Sequence, residues 1–118
     1  MSDTNLDIEK LKNLQFKIMK DVAASALIPL MRIGDQLGLF QKLSELGPIN
    51  SKKFAEEARV DERYLREWLY ALSATDFVSY DGEKEEFSLS PEQRAVFADE
   101  QGPANMMGAY EVLAGQVY

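Results

Sequence analysis

The sequence has no cysteine and no histidine. The first absence excludes a disulfide framework, a thiolate metal site and a cysteine nucleophile. The second removes the commonest general base and the commonest metal ligand. Long apolar runs are missing too. The longest, VAASALIPLM at residues 22–31, is about half of what a bilayer crossing needs. The opening MSDTNLDIEK has no apolar core behind a basic start, so secretion is not expected and a cytoplasmic protein with no membrane partner is. There is no low-complexity tract and no repeat of fixed period. Positive charge is in deficit, with 13 Lys and Arg against 20 Asp and Glu, a net charge of −7 and a pI near 4.6. Nucleic-acid binding draws most of its affinity from neutralised phosphates, so this balance speaks against it.

What is present is enough for one packed domain: 118 residues, 46% of them hydrophobic. Residues 6–28 carry a helical pattern. Ile8, Leu11, Leu14 or Gln15, Ile18 and Val22 recur at three- and four-residue steps, and Phe16, Met19, Ala23 and Leu27 form a second stripe beside them. A helix apolar on more than one face must be covered on more than one face, which one small domain does not do alone. A partner chain is therefore expected on this helix. Pro29 is expected to kink or restart it. Leu30, Ile33 and Leu37 then extend a stripe to Gly38, a suitable C-cap. Leu39, Phe40, Leu43 and Leu46 make a further short helix, closed by Gly47-Pro48.

Asn50 suits the N-cap of the next helix, with Phe54, Ala55 and Ala58 facing inward. After a turn at Arg59-Val60, Asp61 caps a helix whose Leu65, Trp68, Leu69 and Leu72 form a core stripe. Two strands follow, 77–80 and 87–89. A four-residue loop, 81–84, sets Val78 opposite Phe87 and Tyr80 opposite Glu85, and the apolar pattern favours it over a tight turn at Asp81-Gly82. Ser90-Pro91-Glu92-Gln93 reads as a capping box with proline at the first helical position, opening a helix to about Ala98. The chain breaks at residues 99–103. A last helix is expected from near Pro103, with Met106 or Met107, Tyr110, Leu113 or Ala114, and Val117 on one face. The expected fold is mainly α with a small β-hairpin: a winged helix-turn-helix-like domain with an extra long N-terminal helix and a C-terminal connecting helix.

In a DNA-binding winged helix, VDERYLREWLYAL would enter the major groove. Its outer face carries Arg63, Arg66, Glu67 and Tyr70, but Glu62 stands four before Arg66 and Arg63 four before Glu67, so each guanidinium has a carboxylate in reach. Residues 52–86 hold six positive and ten negative side chains, and the wing tip DGEKEE is acidic. Such a module repels phosphate. Trp68 lies on the core stripe, where burial is expected rather than base stacking. Nor is there a self-contained active site. Gly34-x-x-x-Gly38 lacks the preceding strand and the lysine of a phosphate cradle, Glu56-Glu57 and Glu85-Glu86 read as solvated faces, and no metal-ligand spacing is visible.

Residues 24–113 resemble the N-terminal winged-helix domain of small-molecule class I S-adenosylmethionine-dependent methyltransferases. RIGDQLGLFQKL, the helix pair AEEARVDERYLREWL, the wing FVSYDG with FSLSPEQ, and the trailing ADE carry the likeness. The resemblance implies a dimerisation helix at 1–28, a winged-helix-like core at 29–99, and at 100–118 the start of a helix leading to a methyl-donor domain outside these residues. It implies a homodimer through the N-terminal helix and a lid over a small-molecule acceptor, with no catalysis by this chain alone and no cofactor in it. S-adenosylmethionine is implied for the parent enzyme. The substrate-pocket candidates are Met106, Met107 and Tyr110, with Phe16 and Met19 from the dimer helix, although such a Met and aromatic stripe equally suits a core or an interface. The competing expectations are a small winged-helix transcriptional regulator binding DNA and a free-standing protein-interaction module.

Overall fold

The computed structural model describes residues 5–110, the side chain of Ala23 excepted. The fold is mainly helical with one two-stranded antiparallel sheet, the class expected. Helix α1 (Ile8–Gln36) begins at Asp7, whose carboxylate accepts from the Glu9 and Lys10 amides. It runs through Pro29 without restarting there. Proline deletes one ladder bond, but the turns on either side are pinned by burial of Leu27 and Met31, and the Leu30 carbonyl accepts a bond from Trp68. Gly38, at φ 67°, ends this helix and heads the next.

Helices α2 (Leu39–Leu46), α3 (Ser51–Ala58) and α4 (Glu62–Ala74) form the three-helix unit. Asn50 caps α3 through Lys53 N, 2.8 Å, and Asp61 caps α4 through Arg63 N and Tyr64 N. Leu65, Trp68, Leu69 and Leu72 are all buried, as their spacing requires. They meet Leu39, Phe40 and Leu43 of α2 and Phe54, Ala55 and Ala58 of α3. Phe40 is fully buried at the centre, 5.2 Å from the Trp68 ring and 5.3 Å from that of Phe97.

The wing is β1 (Ser79–Asp81) and β2 (Glu86–Ser88). Its loop has four residues as expected, but at 82–85, and the register is Tyr80 opposite Phe87 with Asp81 opposite Glu86. The expected pairing of Val78 with Phe87 and Tyr80 with Glu85 is therefore corrected. Two local features select the observed register. The Asp81 carboxylate accepts from the Glu83 and Lys84 amides, which makes Asp81 the first corner of the turn, and Glu85 takes the left-handed φ of 54° that closes it. The Tyr80 and Phe87 rings then meet in a tilted pair, centroids 4.7 Å apart. Ile49 was not foreseen as part of the sheet. It exchanges both backbone bonds with Phe87, at 2.9 and 2.8 Å, and so ties the segment between α2 and α3 to the wing.

Helix α5 (Pro91–Gln93) opens on the expected capping box and passes directly into a π-helical turn, Arg94–Ala98. Gln93 does more than cap. Its Oε1 accepts from Ser90 N at 2.8 Å and Ser79 Oγ at 2.9 Å, while its Nε2 donates to the Asp76 carbonyl at 2.9 Å. One side chain thus joins the end of α4, the wing and α5. Gln93→Ala is expected to cost about 2 kcal/mol in chemical denaturation. Gln93→Glu, which keeps the two acceptor contacts and loses the donor, should fall between; equal losses for both variants would contradict this division.

Residues 99–106 are turns, and helical backbone resumes at Met107 instead of near Pro103. Asn105 sets that start. Its Oδ1 accepts from Met107 N at 2.9 Å and its Nδ2 donates to the Asp99 carbonyl, while Met106 N is held by Val96 O. Leu113, Ala114 and Val117 lie outside the described residues.

Candidate functional site

Three surfaces of α1 and α4 are available for function. The first is the outer face of α4. Arg66 Nη1 lies 3.6 Å from Glu62 Oε1 and Arg63 Nε 3.9 Å from Glu67 Oε1, the two intrahelical pairs expected from spacing. They are exposed and add little stability, but each places a carboxylate beside the guanidinium that would otherwise meet a phosphate or guanine. Tyr70 is turned toward the wing, 5.9 Å from Tyr80 and 5.5 Å from Phe87, in an aromatic cluster that folds the hairpin onto α4. The Tyr80 phenol is raised above its ordinary pKa by desolvation first, then by Tyr70 and the carboxylates of Glu85 and Asp81, and burial raises that of Tyr110. Both phenols stay protonated at neutral pH, so neither supplies a base.

The second surface is an apolar groove of about 600 Å³ between the C-terminal half of α1 and α4. Leu30, Ile33 and Leu37 form one wall; Leu65, Trp68 and Ala71 form the other. Its charged lining residues are Asp61 and Glu67, both acidic. Ile33 and Leu37 are 44% and 49% exposed.

The third is the N-terminal half of α1, residues 8–22, which stands clear of the core. Leu14, Phe16, Ile18, Met19 and Val22 are between 53% and 68% exposed. Lys20 reaches over Phe16, its Nζ 5.7 Å from the ring centroid. The core begins at Leu27, more than a turn beyond Val22.

The family model described as the Rv2258c-like winged HTH domain matches residues 23–98. The chain belongs to this family. The match takes in the three-helix unit, the wing and the π-helical turn, together with the C-terminal half of α1; the projecting half lies before it. Solved structures with this winged HTH fold include a Nostoc punctiforme protein assigned as an O-methyltransferase, 24% identical, with 86% of this chain and 29% of that one covered at a TM-score of 0.63. LepI in complex with SAM is 18% identical over 75% of this chain and 25% of its own, with a TM-score of 0.62. PigF with SAH is 16% identical over 92% of this chain and 32% of its own, with a TM-score of 0.60. At these identities the likeness is one of fold, and the chain spans less than a third of the length of each. No match is found among curated proteins.

Within this winged HTH domain the expected pocket residues separate. Phe16 and Met19 stand on the projecting half of α1, Met106 is 54% exposed at the turn before the last helix, Met107 is buried in the core, and Tyr110 packs half-buried against it. The groove between α1 and α4 was missed from sequence, although the exposed pair Ile33 and Leu37 was read as part of a stripe. For a methyl donor the residues do not fit: neither described strand leads into a glycine-rich loop that opens a helix, since Gly82 sits alone in the wing and Pro91 follows β2. No group of three metal-ligating side chains occurs among the described residues, and no helix among them is long and apolar enough to cross a membrane.

Proposed function

We propose that this chain is the dimerisation and substrate-lid domain of an S-adenosylmethionine-dependent methyltransferase and is not catalytic by itself. The observation that carries the reading is the uncovered half of α1. Five large apolar side chains from Leu14 to Val22 are more than half exposed. Burying each is worth about 1.5–3 kcal/mol, so leaving them in water forfeits more than most single domains can spare. A second copy of α1 covers them without any new sequence, and a two-fold pair is the commonest solution. The fold likeness to an assigned O-methyltransferase, and to proteins solved with SAM and SAH, supplies the enzyme context. In that context the last helix continues toward a donor-binding domain, and the acceptor, a small molecule, meets Met106 and Tyr110 from one protomer and Phe16 and Met19 from its partner. Met107, buried, supports that wall from behind. Nucleic acid and membrane are not partners in this reading, and the protein is cytoplasmic.

Light scattering at micromolar concentration is expected to give twice the chain mass of 13.3 kDa. Val22→Glu, at a 64% exposed site where the isolated fold tolerates a charge, is expected to give the single mass with an unchanged circular dichroism spectrum. A monomeric parent chain, or salt-sensitive sub-micromolar binding to duplex DNA, defeats the proposal.

A further inference from the structure

We propose that the two copies pair antiparallel, the projecting half of each α1 lying in the α1–α4 groove of the other, with Ile18 of one copy against Ile33 of its partner. This rests on the dimer reading above and adds the receiving surface, the polarity and the register.

Four observations converge on it. First, the groove and the projecting half are both uncovered apolar surfaces, and both belong to α1: Ile33 and Leu37 wall the groove, while Leu14, Ile18 and Val22 stand on the other half. A two-fold axis across α1 therefore brings each surface onto the other in both copies at once. Second, the spacing is self-complementary. Leu14, Ile18 and Val22 step by four toward the middle of the helix, and Leu37 and Ile33 step by four toward it from the other end. Reversing one helix about the midpoint between Ser25 and Ala26 sets Leu14 beside Leu37 and Ile18 beside Ile33. Ala24, Ser25 and Ala26, small and exposed, occupy that midpoint, where two helix axes must approach most closely.

Third, the charges match. The projecting half, residues 8–22, contains four lysines against two carboxylates, Glu9 and Asp21, in a chain of net charge −7. All four lysines are exposed, and Lys17 alone has an acid in contact on its own helix, Asp21 at 3.3 Å. The charged residues lining the groove are Asp61 and Glu67, the second of which also faces Arg63 at 3.9 Å. A basic apolar helix facing an acidic apolar groove favours this pairing over a parallel one, which would set lysine against lysine. Fourth, the size suffices. Residues 8–22 make a rod about 22 Å long and about 10 Å wide, half of whose curved surface is about 350 Å². Each copy gives one such surface and receives another, so each buries about 700 Å², close to the ~800 Å² per partner of a stable complex.

Because the chain has no cysteine, disulfide trapping reads the arrangement without background. Ile18→Cys combined with Ile33→Cys is expected to oxidise to a covalent dimer, both sites being exposed enough to leave the fold intact. Each single variant should remain uncrosslinked, since like positions then stand about 22 Å apart and a disulfide needs Cα atoms within about 7 Å. A dimer by light scattering in which Ile18→Cys alone links to itself overturns the antiparallel seat but leaves the dimer standing. A dimer with no link in the double variant overturns the seat equally. A monomer overturns both readings, and if that monomer binds phosphatidylserine vesicles, the basic apolar half of α1 is a lipid-surface helix instead.

Discussion

Trp68→Ala is expected to lower the unfolding free energy by about 3–5 kcal/mol, the range for emptying a buried aromatic site. The residue has two attachments. Its ring is 4% exposed and lies 5.2 Å from Phe40, and its Nε1 donates to the Leu30 carbonyl at 2.9 Å, holding α4 to α1 across the floor of the groove. Trp68→Phe separates the two. It keeps a ring beside Phe40 and removes the donor. The Leu30 carbonyl retains its place in the ladder of α1, so the hydrogen-bond part should cost only about 1 kcal/mol. Chemical denaturation followed by far-ultraviolet circular dichroism checks both, because Trp68 is the one tryptophan and its fluorescence is lost with it. A Trp68→Ala variant within 1 kcal/mol of the parent would mean that the side chain is not core, and would restore the idea of a base-stacking platform.

Much of the domain was legible because helices announce themselves locally. The stripe at Leu65, Trp68, Leu69 and Leu72, the caps at Asn50 and Asp61, and the reciprocal Ser90–Gln93 box depend on residues three and four apart, and all are found as expected. The wing register was not legible, for a definite reason. The expected and observed pairings differ by an even slip, which leaves Val78, Tyr80, Phe87 and Leu89 on the same face, so alternation alone does not choose between them. The choice falls to Asp81 and Glu85 in the loop and to ring contact between Tyr80 and Phe87. The bridge at Ile49 is a single residue and carries no pattern. Asn105, which delays the last helix to Met107, was hidden behind Pro103, a stronger helix-start signal in isolation.

The functional surfaces divide the same way. Neutralisation of Arg63 and Arg66 is a matter of four-residue spacing and was visible in the sequence; the distances of 3.9 and 3.6 Å agree with it. The excess of apolar residues in the first half of α1 was visible as well, and the exposures give it physical form. The groove was not, because its walls come from Leu30–Leu37 and Leu65–Ala71, segments brought together only by packing about Trp68. Binding surfaces of this kind are built by tertiary contact and leave no signature in either segment alone.

Gly34→Ala should destabilise the domain by about 1–3 kcal/mol, against the sign that helix propensity predicts. In an exposed helix interior the same change gains roughly 1 kcal/mol, since glycine is the costliest residue there after proline. Here a Cβ would stand 2.5 Å from Trp68 Cζ2 and 2.7 Å from Phe40 Cε2, well inside contact distance, with both rings already in a packed core. Relief requires a ring or the α1 backbone to move, and overpacking of this kind costs about 1–3 kcal/mol. This is also why glycine stands in the last turn of α1: α1 and α4 approach closely at this point. The test is a double-mutant cycle with Trp68→Phe, which removes Cζ2 and so the nearest clash. If the contact sets the cost, Gly34→Ala should be less harmful in the Trp68→Phe background by at least 1 kcal/mol, a coupling well outside the ~0.5 kcal/mol within which independent sites add. Additive losses would place the cost in the α1 backbone, and a gain of stability from Gly34→Ala alone would show that α1 and α4 are not in this contact.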